Sequence, residues 1–136
     1  MNVQPYLMFD GRCEEAIAFY RTALGAEVQE LMRNRENPEA GMVRAGTEDK
    51  IMHASLRFGG TTVMMSDGHC AGQPSFQGFS LTIMPPDDAA GAAVFAALAE
   101  GGNVLMPMSP TFFASSFGMV ADRFGVSWMV YVQPAA

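Results

Sequence analysis

The chain has 136 residues, 49% of them apolar, and a formal net charge of −6. That length suits one domain with a real core, and the acidic balance excludes general nucleic-acid binding, which needs a basic face. No apolar run approaches the ~18 residues of a membrane span, and the N-terminus has neither the charged start nor the long apolar run of a signal peptide. A cytoplasmic protein with no membrane contact is therefore expected. Cys13 and Cys70 lack metal-type spacing and read as two reduced thiols.

Residues 3–9 read as a short strand, placed at an edge or a strand start because Pro5 removes a backbone donor. Asp10-Gly11 breaks it. Cys13–Leu24 then carries Ala16, Ile17, Phe19, Tyr20, Ala23 and Leu24 at helical spacing. Glu14 and Glu15 sit in the first turn, at the positive end of the dipole, and Gly25 suits the C-cap. Ala26–Arg33 reads as a strand. Residues 34–50 are polar, with Pro38, Gly41 and Gly46, and read as a mobile loop. Ile51–Phe58 and Thr61–Ser66 form a hairpin, and Asp67–Ser75 a loop between halves.

The second half repeats this order. Phe76–Met84 is a strand, Pro85-Pro86-Asp87-Asp88 opens a helix with an Asp as N-cap, and Ala89–Glu100 is that helix, ended by Gly101-Gly102. Asn103–Met108 is the next strand. The last hairpin runs through Phe117–Ala121 and Val126–Val132, around Asp122-Arg123-Phe124-Gly125, whose Asp and Gly suit a type I turn. Arg123 in that turn reads as solvated.

The repeat can be checked by offset. A shift of 76 brings Leu7 onto Ile83, Phe19 onto Phe95, Gly25 onto Gly101 and Val28 onto Val104. A shift of 66 brings Arg57-Phe58-Gly59 onto Arg123-Phe124-Gly125. The expected fold is α+β: one domain over 1–136 made of two βαβββ modules, 1–70 and 76–136. Helices cover one face of a curved mixed sheet, and the other face surrounds a cleft suited to a small ligand.

His53 alternates with Ser55 and Arg57 on one strand face, while Met52, Ala54, Leu56 and Phe58 take the other. If the apolar face meets the helix, His53 points into the cleft. There it is either a histidine hydrogen-bonded for structure or a general base near neutral pH. Asp67 ends the neighbouring strand, where it either orients a base or accepts backbone N–H bonds in its turn. Asp67, His69 and Cys70 lie together, but adjacent loop residues lack metal-ligand spacing. Tyr6, Phe112, Phe113, Phe117 and Trp128 are candidates for the cleft wall or the core, with Trp128 and Phe112 foremost as ligand contacts. The 12 methionines suit either core filling or an adaptable apolar pocket.

In order and spacing, Pro5-Tyr6-Leu7 … Phe9 … Gly11 … Glu15-Ala16-Ile17 … Phe19-Tyr20 … Leu24-Gly25-Ala26-Glu27, His53-Ala54, Met65-Ser66-Asp67, Gly78-Phe79, Thr111-Phe112 and Asp122-Arg123-Phe124-Gly125-Val126 … Trp128-Met129 resemble the PhnB-like family. That family falls within the vicinal-oxygen-chelate superfamily of glyoxalase I, ring-cleaving dioxygenases and antibiotic-resistance proteins. The resemblance implies a homodimer and a divalent metal held by His, Glu or Gln from the first and last strands of each module. The acidic ligand of the last strand falls at Met129. The other positions are Gln4 or Pro5, Val63 or Met64, and Gly78 or Phe79. Of these only Gln4 suits a hard or borderline metal, so the expectation is no metal and no cofactor. Sequences of this kind often carry a 3-demethylubiquinone methyltransferase label. The chain has no Gly-rich loop after a strand of a parallel sheet, which nucleotide-type cofactor sites use.

Three functions follow as alternatives. The cleft binds a small apolar or aromatic molecule without metal, through Tyr6, Phe112, Trp128 and Met129. Or His53, with Asp67, catalyses a reaction of a small oxygenated substrate. Or a metal-dependent lyase, isomerase or dioxygenase works through an unusual ligand set.

Overall fold

The computed structural model describes residues 1–68, 70 and 73–135. The chain divides into two compact units, Met1–Pro74 and Ser75–Ala136, and each is built the same way.

In the first unit the order is β1 (Tyr6–Met8), α1 (Cys13–Leu24), β2 (Glu27–Arg33), β3 (Ile51–Phe58) and β4 (Thr61–Ser66). The sheet order is β1-β4-β3-β2, with β1 parallel to β4 and the remaining pairs antiparallel. The second unit repeats it as β5 (Leu81–Ile83), α2 (Asp88–Ala99), β6 (Asn103–Ser109), β7 (Ser116–Ala121) and β8 (Ser127–Val132), in the order β5-β8-β7-β6. Each sheet is mixed, curved and open. The strands expected over 3–9 and 76–84 shrink to three residues each, because only that stretch pairs with the parallel partner. Residues 34–50 hold two short 3-10 turns and are tied back to the body by Asn34 N–H to Lys50 O (2.9 Å) and Arg35 N–H to Glu48 O (3.0 Å).

Helix α1 buries Cys13, Ala16, Ile17 and Tyr20, the i, i+3, i+4, i+7 stripe of one face. Tyr20 meets Phe9 and Phe58 ring to ring. Full burial of each such apolar side chain contributes roughly 1.5–3 kcal/mol. The helix ends at Gly25, whose left-handed φ of +66° lets its N–H donate to Arg21 O. Its start is unusual: Arg12, the N-cap residue, makes no side-chain cap.

Helix α2 starts in the conventional way, with Asp87 accepting from Ala90 N–H at 2.8 Å. Gly91 in its second turn permits a close approach to β8, because a Cβ there would lie 2.7 Å from Val132 Cγ2. Alternation then decides the faces. Trp128, Val130 and Val132 of β8 are buried while Ser127, Met129 and Tyr131 are part-exposed. In β4, Val63 and Met65 are buried and Thr62 and Met64 part-exposed. Each unit therefore has a helix-covered face and an open one.

Candidate functional site

Strand pairing assembles the open face of the first unit. Tyr6 pairs with Met64, Met64 with Ser55, and Ser55 with Glu30, so these four make one row across all four strands. Paired residues share a face, which places Met64, rather than Val63, beside Tyr6. Met8 pairs with Ser66, and His53 with Met32. Tyr6 and His53 sit on strands two apart, with β4 between them, and the long phenol bridges the gap. Tyr6 Oη lies 3.2 Å from His53 Nδ1, with the ring centroids 5.7 Å apart. Where the phenol donates, the imidazole keeps its proton on Nε2. His53 is part-exposed, as a general base or ligand contact requires.

The open face of the second unit is apolar. Met106 pairs with Met119, Met119 with Met129, and Met129 with Thr82, again one row across four strands. The next pair, Phe117 and Tyr131, adjoins an aromatic group. Phe113 stacks on Tyr131 with an interplanar angle of 5° and meets Phe117 edge-on, and Tyr131 Oη donates to Phe113 O at 3.0 Å. Phe112 packs edge-on against Phe113 and is 99% exposed.

Two residues expected at the site stand elsewhere. Asp67 does not meet His53. It is 1% exposed, and its two carboxylate oxygens accept from Cys13 N–H at 2.7 Å and Ile51 N–H at 2.6 Å. It serves as the N-terminal cap that Arg12 cannot supply, which leaves no free oxygen aimed at a substrate. Burial and the Asp67 charge together push the Cys13 thiol well above its ordinary range. Trp128 faces the helix-covered side: it is 3% exposed, and its Nε1–H donates to Asp122 Oδ2 at 2.9 Å. Asp122 also accepts from Phe124 and Val126 N–H, so this carboxylate organises the turn. Arg123, expected to be solvated, donates twice to Glu100 O.

The alternation of Ser127–Val132 carried the signal for what the sequence reading missed. Trp128 and Met129 are neighbours on one strand and must face opposite ways, so Met129 selects Tyr131, not Trp128, as its companion. Met119 and Met106 needed the register, which only the structure gives.

The donor set does not suit a Zn²⁺, Ni²⁺ or Fe²⁺ centre. Met64 and Met129 offer thioethers, which suit soft monovalent ions. Among the described residues no three His, Cys, Asp or Glu side chains gather as metal ligands. His69 of the loop cluster with Asp67 and Cys70 lies outside the described residues. A nucleotide-type methyl donor is no better served. Each sheet has a single parallel pair, and the segments from β1 to α1 and from β5 to α2 contain one glycine and none, so no glycine-rich cradle opens either helix.

Residues 1–131 match the family described as 3-demethylubiquinone-9 3-methyltransferase. Protein YjdN of Escherichia coli is 37% identical over 97% of this chain and 95% of its own. The crystal structure of PA1353 from Pseudomonas aeruginosa is 42% identical and superposes with a TM-score of 0.86 over 98% of both chains. A PhnB protein from Bacillus cereus is 29% identical with a TM-score of 0.81, over 97% of this chain and 99% of that one. A glyoxalase-related enzyme from Fulvimarina pelagi shares the fold alone, at 17% identity. With paired βαβββ units and this match along almost its whole length, the chain belongs to the PhnB-like 3-demethylubiquinone-9 3-methyltransferase family of vicinal-oxygen-chelate fold.

Proposed function

We propose that this protein binds a small apolar or aromatic molecule on its open sheet faces, without a divalent metal. The observation that carries the reading is the row Met106–Met119–Met129, three polarisable thioether side chains side by side on one sheet face, with Met129 standing where the family resemblance implies an acidic metal ligand. Methionine adapts to irregular apolar shapes and gains from sulfur–aromatic contact. Phe112, Phe113, Phe117 and Tyr131 extend that surface with aromatic rings. On the first unit Tyr6 and Met64 offer a smaller surface of the same kind, with His53 as its polar end.

A thermal-shift screen of aromatic and aliphatic compounds tests this, since a ligand held by the native state raises the melting temperature. Hits whose shift disappears in Met129→Glu support the reading. Hits that survive both Met129→Glu and Tyr6→Ala, or a shift obtained only on adding Zn²⁺ or Ni²⁺, would sink it.

The Tyr6–His53 contact favours a second reading, in which Nδ1–H of His53 donates to the phenol oxygen and the unprotonated Nε2 is the general base. His53→Ala should then abolish turnover of an identified ligand while leaving its binding within about threefold. Loss of soluble protein in His53→Ala would instead assign the residue to the fold.

We further propose a cytoplasmic homodimer. Val104, Leu105 and Met106 on β6, an outer strand of its sheet, are 46%, 51% and 44% exposed, an apolar edge of the kind a second copy covers. A light-scattering mass of one chain at micromolar concentration would refute the dimer.

A further inference from the structure

The helix-covered side of the first unit has a groove of its own, between α1 and the outer strand β2, of about 610 Å³. Its apolar surface comes from Ile17, Ala18, Ala26, Val28 and Leu31, and Arg21 stands at its rim. Val28 and Leu31 are 37% and 36% exposed. They are large apolar residues left open on an edge strand, and the groove is where they are open.

The charges around it are unequal in a telling way. Glu14 and Glu27 also border the groove, but Arg33 holds Glu14, and Arg57 holds Glu27 at 2.6 Å. Both carboxylates are thus neutralised in place. Arg12 and Arg35 are likewise in ion pairs, Lys50 donates to Gly11 O, and Arg123 to Glu100 O. Arg44 too has a partner. Among the described residues Arg21 alone of the eight Lys and Arg side chains has neither ion pair nor hydrogen bond. On a protein of net charge −6, one uncompensated guanidinium beside an apolar groove is a local positive point with an apolar floor.

We infer that this groove is a binding site for an amphipathic monoanion, a carboxylate with an aliphatic or aryl tail. The carboxylate pairs with Arg21 and the tail lies on Ile17, Ala26, Val28 and Leu31. Guanidinium matches carboxylate geometry with two parallel hydrogen bonds, and the floor supplies the apolar burial that an inorganic anion would not use. The site is separate from the open sheet faces of the proposed function: its residues face the helix side, and it involves neither His53 nor the methionine row.

The experiment is a titration of the isotope-labelled full chain with octanoate, octanol and octylammonium, followed by amide shifts. Octanoate should move the amides of Ala18, Arg21, Val28 and Leu31 and leave those of Tyr6, His53 and Met129 in place. Octanol should bind roughly tenfold more weakly, the value of one charge-assisted pair at an exposed site, and octylammonium weaker still. Arg21→Gln should cost octanoate the same factor and leave octanol unchanged, while Arg21→Lys retains part of the binding. Leu31→Glu should remove binding of octanoate and octanol. Equal affinity for octanoate and octanol, undiminished octanoate binding in Arg21→Gln, shifts confined to the open faces, or no shift at millimolar ligand would each overturn the proposal. Shifts on the open faces alone would at the same time support the proposed function, so the two fail separately.

Discussion

Asp67→Asn separates a structural carboxylate from a catalytic one. The native side chain is 1% exposed and accepts two backbone bonds, at 2.7 Å from Cys13 and 2.6 Å from Ile51. Cys13 is the first residue of α1, so its N–H is one of the orphan donors of a helix start. Ile51 opens β3. The carboxylate thus ties a helix end to a strand end across 54 and 16 positions of chain. An asparagine keeps one acceptor oxygen and turns an NH₂ group against the other N–H. One charge-assisted bond is lost, worth about 1.5–3 kcal/mol, and one buried donor is left unsatisfied at about 1–3 kcal/mol. The two overlap, so the expected loss is about 3 kcal/mol, a large part of the ~5–15 kcal/mol that holds a typical domain. Urea unfolding followed by far-UV circular dichroism reads the loss, and hydrogen exchange at Cys13 and Ile51 should rise before that of other core amides. A midpoint corresponding to less than ~0.5 kcal/mol of change would refute the capping role. So would unchanged stability with loss of ligand binding, which would return Asp67 to the site.

Asp122→Asn should destabilise by about 2–3 kcal/mol, since Asp122 receives Phe124 and Val126 N–H and the Trp128 indole in a buried turn. Because Trp128 is the one tryptophan, its emission should shift to the red, and an unchanged spectrum would contradict the assignment. The Cys13 thiol is held above its ordinary value of 9.0 by burial first and the charge of Asp67 second. The unfolded thiol ionises as pH rises through about 9 while the folded one does not, so stability is full below that pH and falls above it. Cys13→Ala should flatten the alkaline slope, and native protein should resist thiol reagents at Cys13. An equal slope in the variant would count against this. Gly91→Ala would gain about 1 kcal/mol in an isolated helix. Here its Cβ meets Val132 Cγ2 at 2.7 Å, so a net loss of about 1 kcal/mol is expected, relieved in a Val132→Ala background and measured by thermal unfolding.

Much of the backbone was legible because its signals are local. Helix α1 matches its expected span, with the apolar stripe ending at Gly25, and the turn at Asp122 closes through Gly125 N–H to Asp122 O at 2.9 Å. The offset of 76 survives, carrying β1 onto β5 and β2 onto β6, but the pairs Tyr6–Met64 and Thr82–Met129 put β4 onto β8 at an offset of 65, one short of the shift that matches the two turns. The difference between the two strand offsets is the longer β2–β3 connection. Side-chain roles were less legible, because they depend on partners remote in sequence. Tyr6 and His53 are 47 positions apart. The register that lines up Met106, Met119 and Met129 includes bulges around residues 105 and 107–108, which no periodicity announces. Trp128 is a different kind of miss, since strand alternation already forbade it from sharing a face with Met129.

The two copies meet the same physical problem with different acids, and this bears on where chemistry can occur. Every helix begins with unpaired N–H groups. In the second unit Asp87, three residues before Ala90, caps α2 from the adjacent chain. In the first unit the N-cap residue is Arg12, whose side chain donates to Glu15 and cannot accept. The acceptor has to be brought from elsewhere, and the end of β4 supplies it as Asp67. By strand register the counterpart of Asp67 is Val132, an apolar side chain that accepts nothing, because the second unit does not need a cap from there. The Asp67 carboxylate is thus accounted for by the missing local cap of α1, with no catalytic demand required to explain it. Remove Asp67 from the catalytic inventory, and the polar chemistry of the first unit's open face centres on the Tyr6–His53 pair. A base oriented by a phenol instead of a carboxylate lacks the negative partner that stabilises an imidazolium, and that is the physical reason for placing binding ahead of catalysis.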